Sequence, residues 1–273
     1  VALLILVVLA SFLVAALLAQ PWWKARRRAQ LRQQPFPAAW RRILRRRVPY
    51  IARLPSRTQL ELKQHMQVFL AEKAFIGCGG LRVTDEMRVS IAAQACLLLL
   101  GRSRDYFPEL RQILVYPGAF VVERLSTAPG GVQREQRQVL AGESWSQGQV
   151  LLSWDDALQG AADPADGRNV VIHEFAHQLD QEKGYANGAP RLGSKAAYAA
   201  WSRVMEQEFS ALQGRVARGE WSLMSAYGAT DPAEFFAVGS EVFFEQPQEL
   251  RHFHPALYQA LSGYYRLDPA GWR

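Results

Sequence analysis

Val170-Val171-Ile172-His173-Glu174-Phe175-Ala176-His177 decides how this chain is read. Its two histidines are four residues apart. On a helix that spacing stacks them on one face, one turn above the other. Two imidazoles so placed can share one zinc ion, and the intervening Glu174 can reach a metal-bound water. The setting reads as helical: Val170, Val171 and Ile172 lead in, and Phe175, Ala176 and Leu179 continue the apolar pattern. Asp166 reads as the N-cap and Gly184 as the stop. The alternative is a buried helix whose histidines only hydrogen-bond, and that alternative needs partners for three buried polar groups.

Working outward, the segments on either side read as alternating helices and strands. Leu54 to Phe75 has helical spacing, carried by Leu60, Leu62, Met66, Phe69 and Leu70. Gly77-Cys78-Gly79-Gly80 is a sharp break, after which Thr84 or Asp85 caps a helix running to Leu100. Residues 112–116 and 119–123 flank Pro117-Gly118 and read as a hairpin. Residues 133–140 and 149–154 supply two more strands, so a mostly antiparallel meander is expected. The stripe Tyr198, Trp201, Val204, Met205, Phe209 and Leu212 predicts a long helix over 196–218. Further helices are expected from Asp231-Pro232 to about Glu245, and from Pro247 to Tyr265 with Pro255 restarting the turn. His65 reads as structural.

The N-terminus differs in kind. Residues 1–19 contain no charge and one polar side chain, Ser11. As a helix they span about 28 Å, near the thickness of a bilayer's hydrocarbon core. Trp22 and Trp23 follow where an interfacial belt is expected. Between Pro21 and Val48 there are ten Lys and Arg and no acidic residue, whereas the whole chain is only +7. The remainder is therefore mildly acidic, at −3. Basic residues after the apolar run fit an anchor better than a cleaved signal peptide. The expected organisation is a transmembrane anchor over 1–20, a basic juxtamembrane segment over 21–50, and a catalytic domain over 51–273. Within the last, 51–104 reads as helical and 105–273 as sheet plus catalytic helices. The positive-inside rule places the domain on the cytoplasmic side of the membrane. Pro37 to Val48 reads as a basic amphipathic helix lying on the lipid surface. A nucleic-acid contact through these arginines is the weakest reading. Two cysteines, Cys78 and Cys96, exclude a disulfide framework.

A catalytic zinc site needs three protein ligands and an open position. Glu234 heads the apolar run Glu234-Phe235-Phe236-Ala237-Val238, 57 residues after His177. It reads equally well as a ligand and as the third residue of a capping box begun by Asp231. His252 and His254 are the rivals. Asp180 and Glu241 are candidates to hold the second ring nitrogens of the histidines.

The pentapeptide, the stretch Tyr227-Gly228-Ala229-Thr230-Asp231-Pro232-Ala233-Glu234-Phe235-Phe236-Ala237 and the Gly77-Cys78-Gly79-Gly80 break together resemble the Mlc titration factor A family of bacterial zinc peptidases. The resemblance runs from about Phe69 to the C-terminus. A weaker likeness, to the catalytic core of anthrax lethal factor, rests on the His-Glu-Phe-x-His segment and a later Glu-Phe helix. The resemblance implies an α+β, zincin-like metallopeptidase with a small sheet packed on helices. It implies one Zn2+ held by His173, His177 and Glu234, in the gluzincin pattern. Glu174 is then the general base, and Tyr227 stabilises the oxyanion. Peptide-bond hydrolysis, including aminopeptidase action, is the implied activity. The implied alternative is a regulatory protein that captures a transcriptional repressor, with hydrolysis secondary. Residues 1–47 depart from the family's soluble members.

Overall fold

A computed structural model of the chain describes residues 2–102, 105–127, 133–140, 142–145 and 148–272. Three helices open it: α1 (Ala2–Gln33), α2 (Ala38–Arg47) and α3 (Ser56–Glu72). Strand β1 (Ala74–Gly77) leads through the glycine break into α4 (Asp85–Leu97) and β2 (Gln112–Tyr116). Strands β3 (Phe120–Thr127), β4 (Gln133–Leu140), β5 (Gly142–Trp145) and β6 (Gln149–Ser153) come next. The rest is helical: α5 (Trp154–Ala162), α6 (Val170–Asp180), α7 (Lys195–Ala217), α8 (Pro232–Glu245), α9 (Pro247–Phe253) and α10 (Pro255–Tyr265).

The architecture is α+β, but the sheet is not the expected antiparallel meander. Its order is β1-β2-β6-β5. The β1–β2 and β2–β6 pairs are parallel, and only β5–β6 is antiparallel. The hairpin expected around Pro117-Gly118 is absent: β3 pairs with β4 instead, as a separate two-stranded ribbon. The physical reason is that β1 and β2 are joined through α4, a crossover long enough for parallel pairing. The ribbon and β5 together fill the connection from β2 back to β6. Strand β6 is buried along Val150 to Ser153, as a strand covered on both faces must be. The segment 51–104, expected to be helical, therefore also supplies an edge strand. Four residues directly after a helix are too few for periodicity to reveal.

The glycine break after β1 has a steric cause. A Cβ on Gly77 would lie 1.8 Å from the Leu81 carbonyl oxygen, and Gly79 and Gly80 both have positive φ. The chain turns here so that Cys78 N–H can donate to Val115 O at 2.8 Å and extend the β1–β2 pairing. Thr84 then caps α4, accepting from Met87 N–H.

The core lies between the sheet and the helices, around α4, α6 and α8. Phe175 of α6 packs edge-on to Phe107 at 4.9 Å and also meets Phe69. His65 is buried and paired with the Tyr106 hydroxyl at 3.0 Å, a structural role. Cys96 is buried and Cys78 half-buried, both as free thiols.

Helix α1 is long and apolar enough to cross a membrane. It is continuous: the exposed apolar half runs without a break into the basic half, which docks on α3. Arg28 forms a double hydrogen bond with Glu72, both at 2.7 Å, and lies over the Tyr106 ring. Helix α2 forms where expected, but its apolar face turns inward. Phe36, Leu44 and Val48 belong to the protein core, while Arg46 and Arg47 reach Glu86 on α4. Part of the arginine cluster is thus engaged with the protein's own carboxylates.

If the β1 turn is sterically closed as described, Gly77→Ala will cost about 1–3 kcal/mol, the usual range for overpacking. Urea denaturation of the two proteins checks this, and coincident midpoints would contradict it.

Candidate metal centre

The candidate metal-binding face is built by two helix starts. Helix α6 begins at Asn169, whose side-chain oxygen accepts from Ile172 N–H at 3.0 Å. Asp166, the expected cap, instead accepts from Arg168 N–H in the preceding loop. Helix α8 begins at Asp231, whose carboxylate accepts from Ala233 and Glu234 N–H at 2.8 and 3.0 Å. Pro232 occupies the first turn, as anticipated. Asp231 thus caps alone. The Glu234 carboxylate turns toward α6 and meets His173 Nε2 at 2.9 Å and His177 Nε2 at 3.4 Å.

His173, His177 and Glu234 present three donor atoms within 4.8 Å of one another, the one such cluster among the described residues. The two Nε2 atoms are 3.2 Å apart. A tetrahedral zinc with bonds of about 2.0–2.1 Å needs donors about 3.3 Å apart, so the spacing fits. The protonation pattern fits too. His173 Nδ1 lies 2.8 Å from the Glu241 carboxylate. A proton held there leaves the Nε2 lone pair facing a carboxylate oxygen, and two acceptors at that distance need a cation between them. Taken without a metal, burial opposes the His173 imidazolium, but hydrogen bonds to Glu234 and Glu241 hold its pKa well above the usual value. Burial likewise opposes the Glu234 carboxylate, and bonds to both histidines hold it well below the usual range.

Behind the site stands a buried network. Glu241, two turns along α8 from Glu234, binds His173 with one oxygen and accepts from Asn169 N–H at 2.5 Å with the other. The Asn169 amide donates to Gly160 O at 3.2 Å and to the Glu245 carboxylate at 2.9 Å. Burial raises the Glu245 carboxyl to about 8, against the hydrogen bond from Asn169. Asp180 does not play the matching part for His177. Its carboxylate accepts from Asn187 and Gly188 N–H at 2.8 and 2.6 Å and pins that loop. His177 Nδ1 is buried with no hydrogen-bond partner among the described residues.

Glu174 lies between the histidines. Burial raises it to about 7, only partly offset by the two imidazoles. Its neighbour across the cleft is Gly142, at the start of β5. A Cβ there would come within 2.7 Å of Glu174 Cγ and Oε1. Gly142 falls between the strands expected at 133–140 and 149–154, and its only sequence signal is a lone glycine opening a short strand. Ser144, two residues on, accepts from Gln178 Nε2 at 2.7 Å and ties β5 to α6.

Tyr227 sits in a single helical turn just before α8, half-exposed, its ring 5.8 Å from that of His173. The cleft holding these groups has a volume of about 460 Å³, and β5 forms one wall. His252 and His254 lie outside it. His254 pairs with Glu208 of α7 at 2.8 Å, so the structure brings neither rival to the two motif histidines.

An α+β fold whose His-Glu-x-x-His helix meets a carboxylate from a later helix belongs to the metallopeptidase class. The chain is a member of the family described as glucose-regulated metallo-peptidase M90, which it matches over residues 22–266. It is 42% identical to an uncharacterized protein of Synechocystis sp. over 94% of both chains. It is 36% identical to the Mlc titration factor A of Klebsiella pneumoniae over 83% of this chain and 85% of that one. The Cronobacter sakazakii protein of the same name is 33% identical over 90% and 91%. The family match begins at Trp22, so the basic residues between 24 and 47 lie inside it.

The raised Glu245 carboxyl makes a pH prediction for the metal-free protein. The folded state keeps a proton, up to about pH 8, that the unfolded chain sheds near 4.5. Stability is therefore lost as pH rises through that window. Glu245→Gln, which mimics the protonated form, should gain stability over the parent between pH 5 and pH 8. Urea midpoints at the two pH values check this, and a difference that does not grow with pH would contradict it.

Proposed function

We propose that this protein is a zinc-dependent peptidase, with His173, His177 and Glu234 holding one Zn2+ per chain and Glu174 as general base. The observation that carries the reading is the convergence of three donors at tetrahedral spacing beside a buried, proton-competent carboxyl. A two-nitrogen, one-oxygen donor set suits zinc among the available divalent ions. When bound, the ion supplies Lewis acidity, lowering the pKa of water toward about 7 and polarising the scissile carbonyl.

The chain's own residues supply the rest. Glu174, near pH 7 in its ionisation, takes a proton from the attacking water and passes it to the leaving amine. The Tyr227 phenol, on the same side of the cleft as His173, donates a hydrogen bond to the developing oxyanion. Glu241 fixes the tautomer and orientation of His173. Strand β5 is the sheet edge bordering the cleft, and an extended peptide can pair along it. Gly142 keeps that wall clear of Glu174.

We place the domain at a membrane. The apolar run of α1 continues as one helix into the part that docks through Arg28 and Glu72, which supports a retained anchor over a cleaved leader. The flanking basic residues favour the cytoplasmic side, in single-pass topology. The relatives' name points to action on Mlc. A repressor-capturing role for this chain, with hydrolysis secondary, is the competing reading.

With full-length protein in detergent and a random peptide library, Glu174→Gln should retain one zinc per chain and lose at least about 10²-fold in rate. Tyr227→Phe should lose about 10²–10³ in kcat. Mass spectrometry of the products and metal analysis check both. Undiminished hydrolysis by Glu174→Gln would refute the assigned base. Partner capture and phenotype that survive Glu174→Gln unchanged would favour the capture reading.

A further inference from the structure

A second cleft, of about 1060 Å³, is larger than the metal cleft and lies between α7 and α10. Small side chains line it from both helices, Ala197 and Ala200 on α7 and Ala256 and Ala260 on α10, together with Trp201 and Tyr264. Its lining carries four cations, Arg102, Lys183, Arg191 and Arg266, against two acidic residues, Asp105 and Glu182. None of these residues has a part in the peptidase reading.

Arg102 is the unusual member. Its side chain is only 11% exposed, and its guanidinium is held 4.0 Å over the Tyr264 ring. Its nearest carboxylate, on Glu182, stands 4.0 Å away, beyond hydrogen-bond reach. Among the described residues its guanidinium makes no hydrogen bond. Arg102 lines the cleft, and the planar fork of a guanidinium matches a carboxylate or phosphate. Burial raises the Glu182 carboxyl above its usual range, against the pull of Arg102 and Arg191. The Tyr264 hydroxyl beneath is buried and likewise without a hydrogen-bond partner among the described residues.

We propose that this cleft is a binding site for a compact organic anion, its phosphate or carboxylate gripped by Arg102 and its apolar body lying against the alanines and Trp201 that line the cleft. The volume is that of a small-molecule pocket, typically about 300–1,000 Å³. The site also adjoins the metal helix. Gln181 lines the metal cleft, while Glu182 and Lys183 of the same short turn line this one. An anion seated on Arg102 therefore contacts the turn that ends α6. The proposal is independent of the zinc reading, because no residue of the metal cleft takes part.

Isothermal titration calorimetry on full-length protein in nonionic detergent tests it, with metal removed by chelator so that no anion binds through an ion. Phenyl phosphate and inorganic phosphate are the probes. Phenyl phosphate should bind one per chain, more tightly than inorganic phosphate, because only it has an apolar body to lie against the cleft lining. Arg102→Met should weaken it about tenfold or more, the worth of one charge-assisted pair. Arg191→Ala, at an exposed position where folding is not at stake, should weaken it by a smaller factor, and Glu174→Gln should bind as the parent does. No saturable binding of either probe below about 10 mM, equal affinities in the parent and both arginine variants, or a loss confined to Glu174→Gln would each overturn the proposal.

Discussion

The interaction on which the rest of this structure depends is the bond between His173 and Glu241, made where two helices cross. Helix α6 brings the histidines and α8 brings the carboxylates, and neither arrangement means anything alone. Glu241 carries two duties in one side chain: it accepts from the Asn169 N–H at the start of α6 and holds His173 Nδ1. The start of one helix is thereby keyed to the middle of the other, with Glu234 two turns earlier on the same face, against both Nε2 atoms. Buried charges in such numbers are expensive unless every one has a partner. Here Glu234 and Glu241 both meet His173, while Glu245, which holds its proton up to about pH 8, accepts from the Asn169 amide at the start of α6.

Apolar packing keeps this polar seam in register. Phe235, Phe236, Phe243 and Phe244 lie along α8 and are all buried, the last two against Tyr265 of α10. On the other side Phe175 wedges α6 between Phe69 and Phe107. The aromatic layers fix the distance between the helices, and the carboxylates then choose the rotation. Dispersion and burial supply most of the energy, while the hydrogen bonds supply the direction.

Much of the metal centre was legible because its signals are local. The histidine spacing needs only one helix turn, and Asp231-Pro232 announces the start of the helix that carries Glu234. The ambiguity over Glu234 was real in sequence and disappears in space, because Asp231 satisfies the cap unaided and releases the glutamate. Glu241 could be nominated because it lies two turns from Glu234 on the same helix. The failures are non-local. Asp180 has equally good helical spacing from His177, yet the 187–188 loop claims its carboxylate. The sheet was misread because strand pairing depends on partners distant in sequence: β2 and its neighbour across Pro117-Gly118 look like a hairpin until β1 and β6 compete for the same edges. Gly142 matters only because of what lies opposite it. The arginine-rich helix α2 has a charge pattern suited to lipid, and only the fold shows that Leu44 turns into the protein core.

The most direct test of the account is zinc-edge anomalous diffraction from crystals of the full-length protein grown with zinc. The account predicts one strong peak per chain, about 2.0–2.2 Å from His173 Nε2, His177 Nε2 and a Glu234 carboxylate oxygen, with Glu241 on His173 Nδ1 and outside bonding distance of the metal. A peak bound by other side chains, or three empty donors closed on one another by protons alone, would contradict it.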